Sequence, residues 1–182
     1  DIASDSAAAL EAPPEVWEQY KNLVTQATTL FGAEHYRDYH FVFSLSDHVA
    51  HFGLEHHESD DSRLGERALV DSDERMLGAG LLPHEYVHSW NGKYRRPADL
   101  ATPDYQATMQ TDLLWVYEGL TSYLGDMLTA RSGLYTPEQY RDALVMIAAD
   151  LDHRSGRVWR NLQDTADGVP SMQEASSAWT NW

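Results

Sequence analysis

His84 and His88 stand four residues apart in the run His84-Glu85-Tyr86-Val87-His88, which reads H-E-x-x-H. On a helix, residues four apart lie about 40° apart around the axis, so both imidazoles point the same way and can grip one metal ion. Glu85, next to His84, is placed to reach a water on that metal, the arrangement of a zinc hydrolase. A catalytic zinc keeps three protein ligands and a fourth position for water. The third ligand the chain offers is Glu118, inside the apolar run Trp115-Val116-Tyr117-Glu118-Gly119-Leu120. A solvated surface helix would also tolerate two histidines and a glutamate. Leu81, Leu82, Tyr86, Val87 and Trp90 make this one too apolar for that, and buried histidines and carboxylates need partners that a metal supplies.

The wider segments carry a family resemblance. Leu82-Pro83-His84-Glu85-Tyr86-Val87-His88-Ser89-Trp90-Asn91-Gly92-Lys93, followed by Tyr94-Arg95-Arg96-Pro97, is similar to the active-site helix of the glycyl aminopeptidase family. Leu114 to Tyr123 resembles its glutamate helix, and Phe52-Gly53-Leu54-Glu55-His56 resembles the strand that holds a substrate's free amine in this clan. The resemblance implies a gluzincin: one Zn2+ per chain on His84, His88 and Glu118, Glu85 as general base, and Glu55 as the group that pairs with the substrate's N-terminal ammonium. It implies an aminopeptidase acting on peptides with small N-terminal residues, glycine or alanine, through a zinc-activated water. A zinc endopeptidase of the same clan, and an inactive metal-stabilised domain that binds peptides or proteins, stay open as alternatives. One part of the pattern is missing. The family's oxyanion-steadying tyrosine sits in a Y-x-K-G-like stretch beyond the glutamate helix, and no such stretch occurs before Trp182. The expectation is therefore a catalytic-domain fragment, weak or inactive alone, with an apolar surface near Trp159, Trp179 and Trp182 that promotes self-association.

These residues need elements to position them. The pattern predicts an α+β, mainly helical, zincin-like domain with a small N-terminal sheet. We expect one domain over 1–182: a linker or frayed end over 1–13, a helix plus small sheet over 14–75, and a helical zinc-binding part over 76–182. Val16, Tyr20, Leu23, Val24, Ala27 and Leu30 recur at helical spacing over 14–31, with Gly32 as C-cap. Residues 39–46 are rich in strand formers, 51–55 suit an edge strand near the site, and 68–70 suit a short third strand. From about Asp73 the pattern turns helical to about Leu151. Pro83 and the upstream Gly78 and Gly80 predict a helix that restarts just before His84 and ends near Asn91-Gly92. The Glu118 helix spans about 112–131, with Thr121, Ser122 and Asp126 within reach of the ligand. Thr136-Pro137 opens the next helix.

Composition narrows the function classes. The hydrophobic share of 42% and aromatic share of 11% suit a folded domain. A net charge of −16 repels phosphate, which excludes nucleic acid as a partner and favours a bound cation. No apolar run approaches the roughly 20 residues of a membrane span. The absence of cysteine excludes thiolate ligands and disulfides, and leaves the compartment open. The acidic run Glu58-Ser59-Asp60-Asp61-Ser62 reads as a solvated loop, since it lacks the spacing of a calcium loop. The remaining histidines, His56 after Glu55 excepted, read as surface or pocket-rim residues.

Overall fold

The computed structural model describes residues 1–168. Helix α1 (Pro14–Phe31) forms where the sequence predicts it. Val16, Leu23 and Ala27 share its buried face, proline opens it at a position that needs no N–H donor, and Gly32 closes it at φ 73°. The helix packs on a four-stranded sheet of order β1-β2-β4-β3, made of β1 (Ile2–Ser4), β2 (His40–Leu45), β3 (Phe52–Glu55) and β4 (Ser59–Leu64). The first three strands in that order run parallel, and β3 pairs antiparallel on the edge.

Three sequence expectations are corrected here. The first residues are not a frayed end: Ile2–Ser4 pair with Phe43–Leu45 of β2, and Ala9 is buried just beyond. The acidic run is not a solvated loop either. Residues 59–62 form the start of β4, between β2 and β3. Alternation explains it, because Asp60 and Ser62 point inward and bond each other at 2.7 Å, while Asp61 is held by Arg63. Ala68-Leu69-Val70 forms a turn instead of a strand, with Ala68 and Leu69 plugging the core and the turn's own carbonyls taking the N–H groups.

The helical half is broken more often than expected. Asp71 caps α2 (Ser72–Gly78) by accepting from two backbone N–H groups, and the chain restarts as α3 (Leu81–Val87), with Pro83 in its first turn. Among residues 88–113 the only helical piece is a 3₁₀ turn, Ala98–Leu100. Gly92 at φ 145°, Pro97 and Pro103 account for the interruption. A π-helical turn, Trp115–Leu120, leads into α4 (Thr121–Ser132). A Thr136–Gln139 capping box opens α5 (Pro137–Asp152), and the short α6 (Gly156–Trp159) and α7 (Leu162–Gly168) follow. The structure is thus mixed α and β, dominated by helix, with its small sheet towards the N-terminus. No helix among the described residues is long and apolar enough to cross a membrane.

The core lies between α1, the sheet, α3 and α4, with Leu23, Leu45, Tyr86 and Leu128 wholly buried. The Tyr86 ring sits 4.9–5.0 Å from those of Tyr39, Phe41 and Trp90, so an aromatic cluster clamps α3 to β2. By contrast α5 buries none of its residues and exposes Leu144, Val145, Met146, Ile147 and Leu151. Trp159 is exposed as well, while Trp179 and Trp182 lie outside the described residues.

Asp60 has a consequence for stability. Its side chain is fully buried, and its Oδ2 and the nearby Tyr39 hydroxyl make no hydrogen bond. Burial pushes its carboxyl from 3.8 up to about 7, against the pull of the Ser62 hydroxyl that bonds its other oxygen. The folded protein therefore holds this proton more tightly than the unfolded chain. That contribution is complete below pH 4 and lost as pH rises through 7. Asp60→Asn should stabilise the fold at pH 8 by about 2–4 kcal/mol, from a shift of roughly three units at 1.36 kcal/mol each, and by almost nothing at pH 4. Urea unfolding of both proteins at the two pH values checks this; equal gains at both would refute it.

Candidate metal centre

Helix α3 turns His84 and His88 to one side, and the π turn brings Glu118 to face them. The His84 and His88 Nε2 atoms are 3.2 Å apart, and Glu118 Oε2 lies 3.3 Å from the first and 3.5 Å from the second. Zinc bonds of about 2.0–2.1 Å at tetrahedral angles put neighbouring ligand atoms about 3.3–3.4 Å apart. The triangle of donors has that size, so the residues fit zinc. The Glu85 carboxylate also lies near, its oxygen within 4.8 Å of both histidine nitrogens. Glu118 is the better third donor, because one oxygen approaches both imidazoles equally.

Two close approaches set this geometry. At Gly53 on β3, a Cβ would stand 2.0 Å from Glu85 Oε1, so the bare backbone of the edge strand makes the space for that carboxylate. At Gly125 on α4, a Cβ would stand 3.0 Å from the Cα of His84, so glycine lets α4 press against the turn that starts the motif.

Asn91 joins the two ligand-bearing elements. Its carbonyl accepts from His88 Nδ1 at 3.1 Å, which turns the ring's Nε2 towards Glu118. Its side-chain amide donates to Val116 O at 2.8 Å and is also 3.4 Å from Tyr117 O. Both carbonyls belong to the π turn, whose widened ladder releases carbonyls for outside partners. Thr121, wholly buried, donates to Tyr117 O at 2.6 Å and accepts from Asn91 at 3.0 Å. Among the three α4 residues expected near Glu118, Thr121 is the one in this network; Asp126 lines a cavity on the His84 side.

The electrostatics separate the carboxylates. Burial pushes Glu85 up to about 7, with Glu55, Glu118 and Asp60 adding to it and His84 opposing. Burial would raise Glu118 too, but the hydrogen bonds and charges of His84 and His88 outweigh it and hold it down to about 2. One buried acid poised near neutrality beside another that stays ionised is a pattern found at functional sites.

Glu55 ends β3 and is not part of the donor triangle. It lines a cavity of about 280 Å³ together with Glu118, Tyr117, Lys93, Arg96 and Leu100. Burial favours its neutral form, but a hydrogen bond from the Tyr117 hydroxyl, its own backbone N–H and the charge of Lys93 bring it below the usual range. Lys93 Nζ is 3.1 Å from Glu55 Oε1. A second cavity, of about 430 Å³, is lined by His84, Glu85 and Asp126. His56 is exposed, past the end of β3. Sequence reasoning missed Asn91, Lys93 and Tyr117 as site residues. The available signal was their adjacency to motif residues, Asn91 having been read only as a helix stop.

The M61 glycyl aminopeptidase profile matches residues 78–182, a span that includes His84, Glu85, His88 and Glu118 and leaves out the Glu55 strand. A search of the curated proteins finds no match. Among solved structures, the chain is similar to an aminopeptidase N family protein from Idiomarina loihiensis, with a TM-score of 0.81 and 21% identity. The alignment covers 100% of this chain and 31% of that one, so the chain spans under a third of that protein's length.

The network makes Asn91→Ala informative. It removes the amide that pins the π turn while leaving all three donors in place. Zinc affinity should fall about 10–100-fold, as when an outer-shell partner is lost. Competition with a fluorescent chelator measures it, and an unchanged affinity would show that His88 and Glu118 keep their places without the amide.

Proposed function

Because the matched profile spans more than half of its residues, the chain belongs to the M61 glycyl aminopeptidase family, and from that premise we propose that it is the catalytic part of a zinc-dependent aminopeptidase. The donor triangle of His84, His88 and Glu118, with Glu85 beside it, is the observation that carries the reading. The family supports peptide hydrolysis, and the donor set supports zinc within a gluzincin-type zincin fold.

In this reading the zinc is held by His84, His88 and Glu118, where it supplies a Lewis acid that polarises a peptide carbonyl and acidifies water. Glu85 takes the proton of the attacking water and returns it to the leaving amine. Gly53 makes the space for that carboxylate, and Asn91 fixes the His88 imidazole that faces Glu118. One cavity is lined by Glu118 and the other by His84 and Glu85, which suits a peptide laid between them with its N-terminus towards Glu55. Glu55, kept ionised, pairs with the free ammonium, and small N-terminal residues are the substrates proposed.

The Glu55–Lys93 ion pair favours a second reading, an endopeptidase or blocked-peptide hydrolase in which Glu55 is structural. Two variants separate them. Glu85→Gln should retain zinc and lose 10²–10⁴-fold in kcat, because an amide takes no proton from water. Wild-type kcat in that variant sinks the assignment of the base. Glu55→Ala should cut kcat/KM on free-amine peptides far more than on N-acetylated ones. Equal losses on both would favour the second reading.

A further inference from the structure

Glu55 already has a cation. Lys93 Nζ stands 3.1 Å from its Oε1, and both side chains are largely buried, at 15% and 17% exposure. The Tyr117 hydroxyl donates to the same Oε1. Arg96 lines the same cavity, with its Nε on Gly92 O at 2.9 Å. A second ammonium arriving at Glu55 would therefore meet a carboxylate already paired with Lys93, in a cavity also lined by Arg96 and by Glu118. Two cations on one carboxylate in a partly desolvated cavity repel each other, which favours exchange of one for the other.

We propose that Lys93 is a placeholder for the substrate's N-terminal ammonium, displaced from Glu55 when a free-amine peptide binds. The proposal rests on the aminopeptidase reading and makes Lys93 a specificity-determining residue. The structure gives the lysine the means to leave. Its backbone is anchored, the N–H donating to His88 O at 2.8 Å, while Glu55 is its side chain's ion-pair partner. Four rotatable bonds separate that anchor from the ammonium, which is strongly hydrated and loses little on swinging into water. The exchange replaces one ammonium by another on the same oxygen, so Glu55 is paired before and after. Its work is done on arrival as well. Until then Lys93 keeps Glu55 from being buried as an unpaired charge. An N-acetylated peptide offers no replacement cation and leaves the pair intact.

The test compares wild type with Lys93→Met, Lys93→Arg and Glu55→Gln, each checked by thermal melting, in calorimetric titrations with alanine amide and N-acetylalanine amide. Lys93→Met should bind alanine amide about tenfold more tightly, the scale of a modest ion pair, with the acetylated ligand unchanged. Lys93→Arg should behave like wild type, since a cation still occupies the carboxylate. Glu55→Gln should lose the distinction between the two ligands. A folded Lys93→Met protein that binds alanine amide no more tightly than wild type overturns the proposal; Lys93→Gln serves if the methionine variant does not fold. Hydrolysis of free and acetylated peptides by the wild-type enzyme is measured alongside. Absence of a free-amine preference there sinks the aminopeptidase reading itself. A preference without the gain in Lys93→Met sinks the placeholder alone.

Discussion

How closely α3 can be approached decides what the rest of the molecule can do. The helix is only seven residues long, yet it carries His84 and Glu85 and ends on His88 as its C-cap. Gly125 lets α4 approach the His84 backbone, and Gly53 lets the edge strand approach Glu85. Either approach is blocked by a single Cβ, because packed interiors have no spare volume to yield. The aromatic cluster of Tyr39, Phe41, Tyr86 and Trp90 supplies the clamp from the third side. A short helix has little stability of its own, so its position is dictated by these contacts. The geometry of the donor triangle is then a product of packing.

Charge sets the second condition. Glu55, Glu85, Glu118 and Asp60 are gathered around one end of α3, in a chain that already carries −16. Burying them unpaired would be costly, and the fold answers each differently. Glu118 faces two imidazoles, Glu55 faces Lys93 and Tyr117, and the raised carboxyls of Glu85 and Asp60 favour holding a proton. A divalent cation bound in the triangle, as proposed, would relieve the same repulsion. The acidity that looks like a solubility device in the composition is, at this end of the molecule, part of the site.

Much of this was legible in the residues. The H-E-x-x-H spacing, the apolar run around Glu118, the periodicity of α1 and the Thr136-Pro137 start of α5 all follow local rules of helix geometry and capping, and those rules hold whatever the tertiary context. Other features depend on partners far along the chain. An acidic stretch becomes the strand β4 only because Asp60 and Ser62 satisfy each other inside and Asp61 and Arg63 outside. The π turn at Glu118 leaves no mark in the sequence, since its carbonyls are satisfied by Asn91, some 25 residues away. The Glu55–Lys93 pair joins residues 38 positions apart, from the end of an edge strand to the segment just past the expected helix stop. Local pattern cannot weigh such contacts, and they are the ones that shape the site.

Lys93 and Asn91 also explain why the helix must stop where it does. Had α3 continued past Val87 in regular form, the backbone carbonyl of Asn91 would point along the axis into the next turn, and His88 Nδ1 would lose its acceptor. Instead the chain closes with a 3₁₀ bond from Ser89 N to Tyr86 O and turns at Gly92, whose φ of 145° suits glycine alone. A Cβ at Gly92 would stand 2.7 Å from the Tyr117 ring and 3.1 Å from His88 Nδ1. That turn folds the Asn91 carbonyl back on His88, sends the Asn91 amide across to the π turn, and places the Lys93 ammonium against Glu55. One break in a helix thereby orients a proposed ligand, supports the turn bearing another, and occupies the carboxylate proposed to read the substrate's amine.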